Sequence, residues 1–279
     1  MSLRRVPQAR FFGMVSEGKC FAILLNCAIL EKMIPEGNME NKLDKKEKIL
    51  ISVCDREGQM SVPALFSLFM DLASEHGTMI RLGSAELEKK GLIWLTVKTK
   101  IRINRRPAMM EECVAETWPE KPGRIRCNRF YRLRCGEEIC AEGKTEWAMF
   151  CPETGKLAAI DEVYPEDLVH YEEVICEGAY ARVSEDFSGA EVLDTYRVRS
   201  TDIDVAHHMN NALYIRAFFG ALSCEELAKL NIREVDVVFR SPSFEGEELT
   251  ICRRRTEDGF EIGILHADGK AAVVARVLC

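Results

Sequence analysis

The sequence predicts an α+β protein built by duplication: two tandem units, each with one long apolar helix and a meander of antiparallel strands. Three internal matches carry that prediction, because they occur in the same order in both halves. DREGQMSVPALF, from Asp55, answers DVAHHMNNALYI, from Asp204, with Met60 and Met209 each five residues after the aspartate. INRRPAMMEECVAE (103–116) aligns without gaps on FRSPSFEGEELTIC (239–252), each a strand, a proline-containing turn, a Glu-Glu pair and a second strand. CGEEICAEGKTEW (135–147) aligns on ADGKAAVVARVLC (267–279), where Cys-Gly and Asp-Gly mark hairpin turns.

Taken in chain order, residues 1–44 form an N-terminal extension. Phe21 to Leu30 (FAILLNCAIL) is apolar and follows Arg4, Arg5 and Arg10, the charge order of a secretory signal, but it is too short to span a membrane and no small-residue cleavage site follows. An over-long gene start, with Met33 or Met39 as the true initiator, a packed extension and an export signal are the three readings. The first unit covers 45–152. Its helix shows Leu65, Leu68, Phe69, Leu72 and Ala73 at helical spacing, and strands rich in Ile, Val, Trp and Phe follow. Residues 153–192 are acidic and broken by Pro165, Gly178 and Gly189, the composition of a crossover linker. The second unit, 193–279, repeats the plan with Ile215, Phe218, Phe219 and Leu222 on its helix. In each unit the sheet has one apolar face, and the long helix is the only element large enough to cover it, so the sheet should wrap the helix.

Composition narrows the function. With 47% hydrophobic and 30% charged residues the chain of 279 folds. A net charge of −7 excludes affinity gained by neutralising the phosphates of nucleic acid. Twelve cysteines without a C-x-x-C suggest neither a zinc cluster nor a disulfide scaffold; reduced thiols in a cytoplasm are expected.

The two halves are unequally equipped. DIDVAHHMNN (202–211) brings Asp202, Asp204, His207, His208, Asn210 and Asn211 just ahead of a helix, where the first half has Gln59 in place of His208, and Ser61 and Val62 in place of the two asparagines. Asn210 or Asn211 is positioned to cap the helix, and backbone N–H groups at its start suit polarisation of a carbonyl oxygen, as acyl transfer requires. A carboxylate beside them would activate water. Two plainer readings stay open: loop histidines with an asparagine cap, and a metal site of two Asp and two His.

The motif DIDVAHHMNNALYI resembles the D-[IL]-D-x-N-x-H-V-N-N-x-x-Y-[IL] motif of the acyl-acyl carrier protein thioesterases, and the similarity extends over about residues 45–279 through LGSAEL, GLIWLTVKTKIRINRRP, ETWP (116–119) and EGKTEWAMF. The resemblance implies a double hotdog, in which each half is a long helix wrapped by an antiparallel sheet. It makes Asp204 the catalytic carboxylate and His208 the histidine that positions or deprotonates the hydrolytic water, with no metal or other cofactor. The family's asparagine falls on Ala206, and its Glu-Cys pair falls on Pro242 and Ser243. His207, beside Ala206, is the candidate replacement donor, and Ser243 keeps a hydroxyl where the family has a thiol.

The resemblance further implies acyl carrier protein and a fatty acyl chain as partners. Carrier proteins are acidic, and strand alternation in RIRCNRFYRLR puts Arg124, Arg126, Arg132 and Arg134 on one face, a candidate docking stripe whose plainer reading is a sheet face balanced by neighbouring glutamates. Leu65, Phe69 and Trp94 would line the acyl tunnel, or equally the core. No nucleic acid or membrane span is expected, and a homodimer is compatible. The expected activity is hydrolysis of fatty acyl-carrier thioesters in fatty-acid biosynthesis. An acyl-coenzyme A thioesterase of the same fold and a catalytically impaired acyl-binding module are the alternatives.

Overall fold

Two helices and a single antiparallel sheet organise the chain in the computed structural model, which describes residues 41–279. The expected N-terminal extension, whether an over-long gene start, a packed segment or an export signal, lies outside them up to residue 40. The first half contains β1 (Leu43–Lys48), helix α1 (Val62–Met79), the short α2 (Ser84–Glu88), β2 (Ile93–Ile103), β3 (Glu112–Pro119), β4 (Arg126–Cys135), β5 (Glu138–Cys151) and the two-residue β6 (Lys156–Leu157). The second contains β7 (Glu191–Arg197), helix α3 (Asn211–Gly220), the short α4 (Cys224–Lys229), β8 (Glu234–Phe239), β9 (Glu248–Thr256), β10 (Gly259–Leu265) and β11 (Ala271–Leu278). Their hydrogen-bonded order is β1-β3-β4-β5-β2-β8-β11-β10-β9-β7, with β6 on β5. Each half is therefore the same five-strand arrangement, and β2 pairs with β8 to make the sheet continuous.

Local chemistry starts and aims the helices. Ser61 caps α1 by accepting the Ala64 N–H, and Pro63 sits in the first turn, where its missing donor costs nothing. Val62, Leu65, Phe66, Phe69, Leu72, Ala73 and His76 then face the sheet, buried. Gly143 on β5 lets this face come close: a Cβ there would lie 2.9 Å from the Phe69 ring. The two long helices pack on each other, so one core holds Leu65, Phe69 and Leu72 together with Ile215, Phe218 and Phe219.

The duplication is written in hydrogen bonds. Asp55 N–H donates to Gln59 O and Asp204 N–H to His208 O; Met60 N–H donates to Pro107 O and Met209 N–H to Ser243 O; Met110 N–H donates to Ile49 O and Gly246 N–H to Val198 O. The first two internal matches seen in the sequence hold in these bonds without a shift, and the third holds along the strands, where Asn104 N–H donates to Cys140 O and Arg240 N–H to Ala272 O.

Where the halves meet, the register sets Lys100 against Asp236 and Arg102 against Glu234. Lys100 Nζ lies 3.0 Å from Asp236 and 3.3 Å from Glu234, and Lys100 and Asp236 are both buried. The linker crosses this seam. Arg102, Lys144 and Lys100 donate to the carbonyls of Glu177, Gly178 and Ala179 at 2.6, 2.6 and 2.7 Å, and the Ala181 N–H donates to Asp236.

One expectation fails outright: Cys113 and Cys135, cross-strand neighbours on β3 and β4, form a disulfide. Adjacent strands bring Cβ atoms within bonding reach, a proximity that spacing along the chain does not reveal. Eight other cysteines among the described residues are free.

The seam gives the first testable outcome. Lys100→Met strands a buried carboxylate and should cost about 3–5 kcal/mol in chemical denaturation. Adding Asp236→Leu should recover much of that loss.

Candidate active site

The loop ahead of α3 is a tight turn closed by its own backbone. Asp204 N–H donates to His208 O at 3.1 Å, His207 N–H to Asp204 O at 2.9 Å, and the Asp204 carboxylate accepts the Ala206 N–H at 2.8 Å. Asp204 and His208, the two predicted catalytic residues, are thus hydrogen-bonded to each other through the main chain, and both are half-buried. His207 holds the left-handed conformation (φ 61°) that Gly58 takes in the first half. A side chain costs about 1 kcal/mol there, strain retained only in the half that carries His208. The His207 side chain itself is exposed.

His208 Nδ1 lies 3.1 Å from the Met209 carbonyl. A carbonyl only accepts, so the neutral ring carries its proton on Nδ1 and presents an unprotonated Nε2. Helix α3 begins immediately afterwards. Asn210, not Asn211, is the cap: its side chain accepts the Ala212 N–H at 2.9 Å, and its carbonyl accepts the Leu213 N–H. Asn211 is the first helical residue, and its N–H has no acceptor among the described residues, an open donor at the positive end of the helix.

The turn after β8 clips onto this loop. Ser243 accepts Met209 N–H through its carbonyl and donates its own N–H to the Tyr214 hydroxyl at 2.9 Å. The Ser243 hydroxyl is fully buried and makes no hydrogen bond, so Ser243 contributes through its main chain. Tyr214 is 2% exposed; burial pushes its phenol up to about 12, the nearby Glu247 and Asp204 carboxylates add to the rise, and the group stays a donor. Behind it, His266 Nδ1 lies 3.2 Å from Glu247, and His266 Nε2 lies 2.8 Å from the Ser241 hydroxyl. Sequence reasoning missed Tyr214, Glu247 and His266. The gapless repeat held the signal for the first two, since it sets Tyr214 against Leu65 and Glu247 against Glu111.

That correspondence explains why one half is equipped. In the first half Arg106 ion-pairs with Asp55. Burial alone would raise the Asp55 carboxyl, but Arg106 and the Gln59 N–H outweigh it and hold it below the ordinary range. Arg105 pairs bidentately with Glu111 at 2.6 and 2.9 Å and holds that acid down too. In the second half these arginines are Ser241 and Pro242, and Asp204 has no cation partner among the described residues.

The remaining site residues fall differently. Leu65 and Phe69 are buried in the core, and Trp94 is half-buried with its indole N–H donated to Leu82 O. The docking stripe is not a free basic surface. Arg126 pairs with Glu146; Arg132 pairs with Glu116, Glu142 and Glu173; Arg134 pairs with Glu116. Only Arg124 stands exposed without an ion pair. Alternation holds for Arg126, Arg132 and Arg134 on β4, whereas Arg124 lies in the bend before the strand, and β3, β5 and the linker lay glutamates across that face. Among the described residues no His, Cys, Asp and Glu cluster has metal-binding geometry, so Asp202, Asp204 and the two histidines form no such site.

Joined hotdog units with a carboxylate and a histidine on the loop before the second helix define a double-hotdog protein. The profile of the acyl-ACP thioesterase N-terminal domain matches residues 40–168 and that of the C-terminal domain residues 187–275, and the chain belongs to the acyl-ACP thioesterase family. It is similar to the chloroplastic acyl-[acyl-carrier-protein] hydrolase of Cuphea viscosissima (25% identity, 56% of this chain and 40% of that protein) and to the oleoyl-acyl carrier protein thioesterase of Coriandrum sativum (22%, 76% and 63%). The chain thus spans less than two thirds of the length of these relatives. In fold it is similar to the 12:0-ACP thioesterase of Umbellularia californica (TM-score 0.77, 18% identity, 87% of this chain and 98% of that one) and to an acyl-ACP thioesterase of Bacteroides thetaiotaomicron (0.73, 18%, 85% and 97%).

The cap assignment is directly testable. Asn210→Ala should cost about 1 kcal/mol in denaturant unfolding, whereas Asn211→Ala should leave stability unchanged.

Proposed function

We propose that this chain hydrolyses the thioester of a fatty acyl chain carried on acyl carrier protein, releasing the free acid and the carrier's thiol in fatty-acid biosynthesis. The observation that carries the reading is the contrast between Asp55, neutralised by Arg106, and Asp204, which has no cation partner among the described residues and is tied to His208 through the main chain.

His208 Nε2 takes a proton from water as the oxygen attacks the thioester carbonyl carbon. The oxyanion of the tetrahedral intermediate is met by the open Asn211 N–H, which supplies the donor absent at Ala206. Collapse expels the thiolate, which recovers the proton from the imidazolium. Asp204 stabilises the imidazolium charge while it exists. The Tyr214 hydroxyl fixes the Ser243 clip and, with it, the loop. The first half, with Leu65, Phe69 and Trp94, houses the acyl chain.

No helix among the described residues is long and apolar enough to cross a membrane. A cytoplasmic location belongs to this reading. The eight free thiols fit it, and the Cys113–Cys135 bond does not.

Purified protein should release thiol from acyl-carrier substrates, and Asp204→Ala and His208→Ala should each lower kcat/KM by about 10²–10⁴ with unchanged melting. Rates equal to those of the Asp204→Ala, His208→Ala double variant would reject the assignment. Matched coenzyme A thioesters decide the acyl-coenzyme A alternative, which requires their kcat/KM to match or exceed those of the carrier thioesters.

A further inference from the structure

The inner face of the first half carries an excess of hydrogen-bond donors. Arg129 and Tyr131 on β4, and Thr145 and Trp147 on β5, all point inward, with Arg129 opposite Thr145, Tyr131 opposite Gly143 and Trp147 opposite Cys127. Arg129 is 7% exposed, and Tyr131 and Thr145 are fully buried. Arg129 Nη1 donates to His76 Nδ1 at 2.8 Å and to the Thr117 hydroxyl at 3.4 Å, and no carboxylate pairs with the guanidinium among the described residues. The Thr117 hydroxyl proton goes to the Phe130 carbonyl, and Thr145 and Thr99 bond each other. The Tyr131 O–H and the Trp147 indole N–H are buried and make no well-aligned hydrogen bond among the described residues. The Thr145 hydroxyl, the Trp147 indole and the Arg129 guanidinium all approach that phenol, which burial pushes up to about 12, so it too remains a donor.

A buried cation without an anion and two orphan donors at neighbouring positions are costly on their own. Arg129 and Trp147 can only donate, and the Tyr131 phenol, kept protonated, has a proton to give. The cluster is also bracketed by the walls assigned to the acyl chain. Tyr131 stacks on Phe69, centroids 4.9 Å apart, and Trp147 meets Trp94 edge-on at 6.1 Å.

We propose that this cluster receives an oxygen atom carried by the acyl chain, so that the preferred substrate is a fatty acyl thioester bearing a hydroxyl, oxo or carboxyl group, the carboxylate being the best match to Arg129. The inference rests on the thioesterase reading and adds its substrate class. A site built to hydrogen-bond an oxygen discriminates strongly against the analogue that lacks it, because the buried donors then stay unpaired.

The test is a panel of carrier-protein thioesters of matched chain length, unsubstituted or with a hydroxyl, oxo or carboxyl group walked along the chain, compared by kcat/KM. The expected result is at least a tenfold preference for one oxygenated chain. That preference should fall to parity in Tyr131→Phe, which keeps the ring stack on Phe69, and in Arg129→Met. If Arg129→Met does not fold, Tyr131→Phe alone decides. Preference for the plain chain at every position, or a preference unchanged in Tyr131→Phe, would overturn the proposal and leave the cluster a structural feature holding at most water. If no thioester is cleaved, the thioesterase reading fails separately, and calorimetry with free fatty acids decides the cluster. Tighter binding of an oxygenated acid that is lost in Tyr131→Phe upholds it, and equal binding refutes it.

Discussion

The buried Lys100–Asp236 pair sits at the point where the two copies of the repeat face each other across the β2–β8 ladder. Because the strands are antiparallel, this contact sets the register in which the sheet of one half continues into the other, and through it how α1 and α3 meet in one core. A one-residue slip would turn every inward side chain outward. The pair is shielded by linker backbone, three cations holding three successive carbonyls. The crossover therefore does more than connect: it closes the seam it crosses.

On this shared frame the halves differ by a few substitutions at matched positions. Arginines at 105 and 106 fill the first half's turn with ion pairs, and Leu65 and Pro107 stand where the second half has Tyr214 and Ser243. Proline has no N–H to give and leucine no hydroxyl to receive it, so the Ser243–Tyr214 bond exists in one half alone. The same backbone thus carries ion pairs in the first half's turn and a hydroxyl-to-amide clip in the second.

Much of this was legible in the sequence because duplication supplies an internal comparison. The three gapless matches placed the loops, the turns after β2 and β8, and the terminal strands of each half in correspondence, and polar excess at 204–211 set the second half apart. What stayed hidden depends on distances between strands. The Cys113–Cys135 bond joins partners fixed by β3–β4 register. The arginines of β4 alternate as expected, yet their glutamates come from β3, β5 and the linker. His266 reaches Glu247 only because β10 runs antiparallel beside β9, which sets the end of β10 next to the start of β9. Asn210 rather than Asn211 is the cap because the helix starts at Asn211, the second residue of the asparagine pair.

Asp204 is left without a cation partner among the described residues in the half proposed to act. Pro242→Arg restores at the second turn the arginine that Arg106 provides at the first, and should lower kcat/KM for a cleaved acyl-carrier thioester at least a hundredfold without loss of melting temperature, while Pro242→Ala retains activity. A folded Pro242→Arg variant with undiminished kcat/KM would contradict the account.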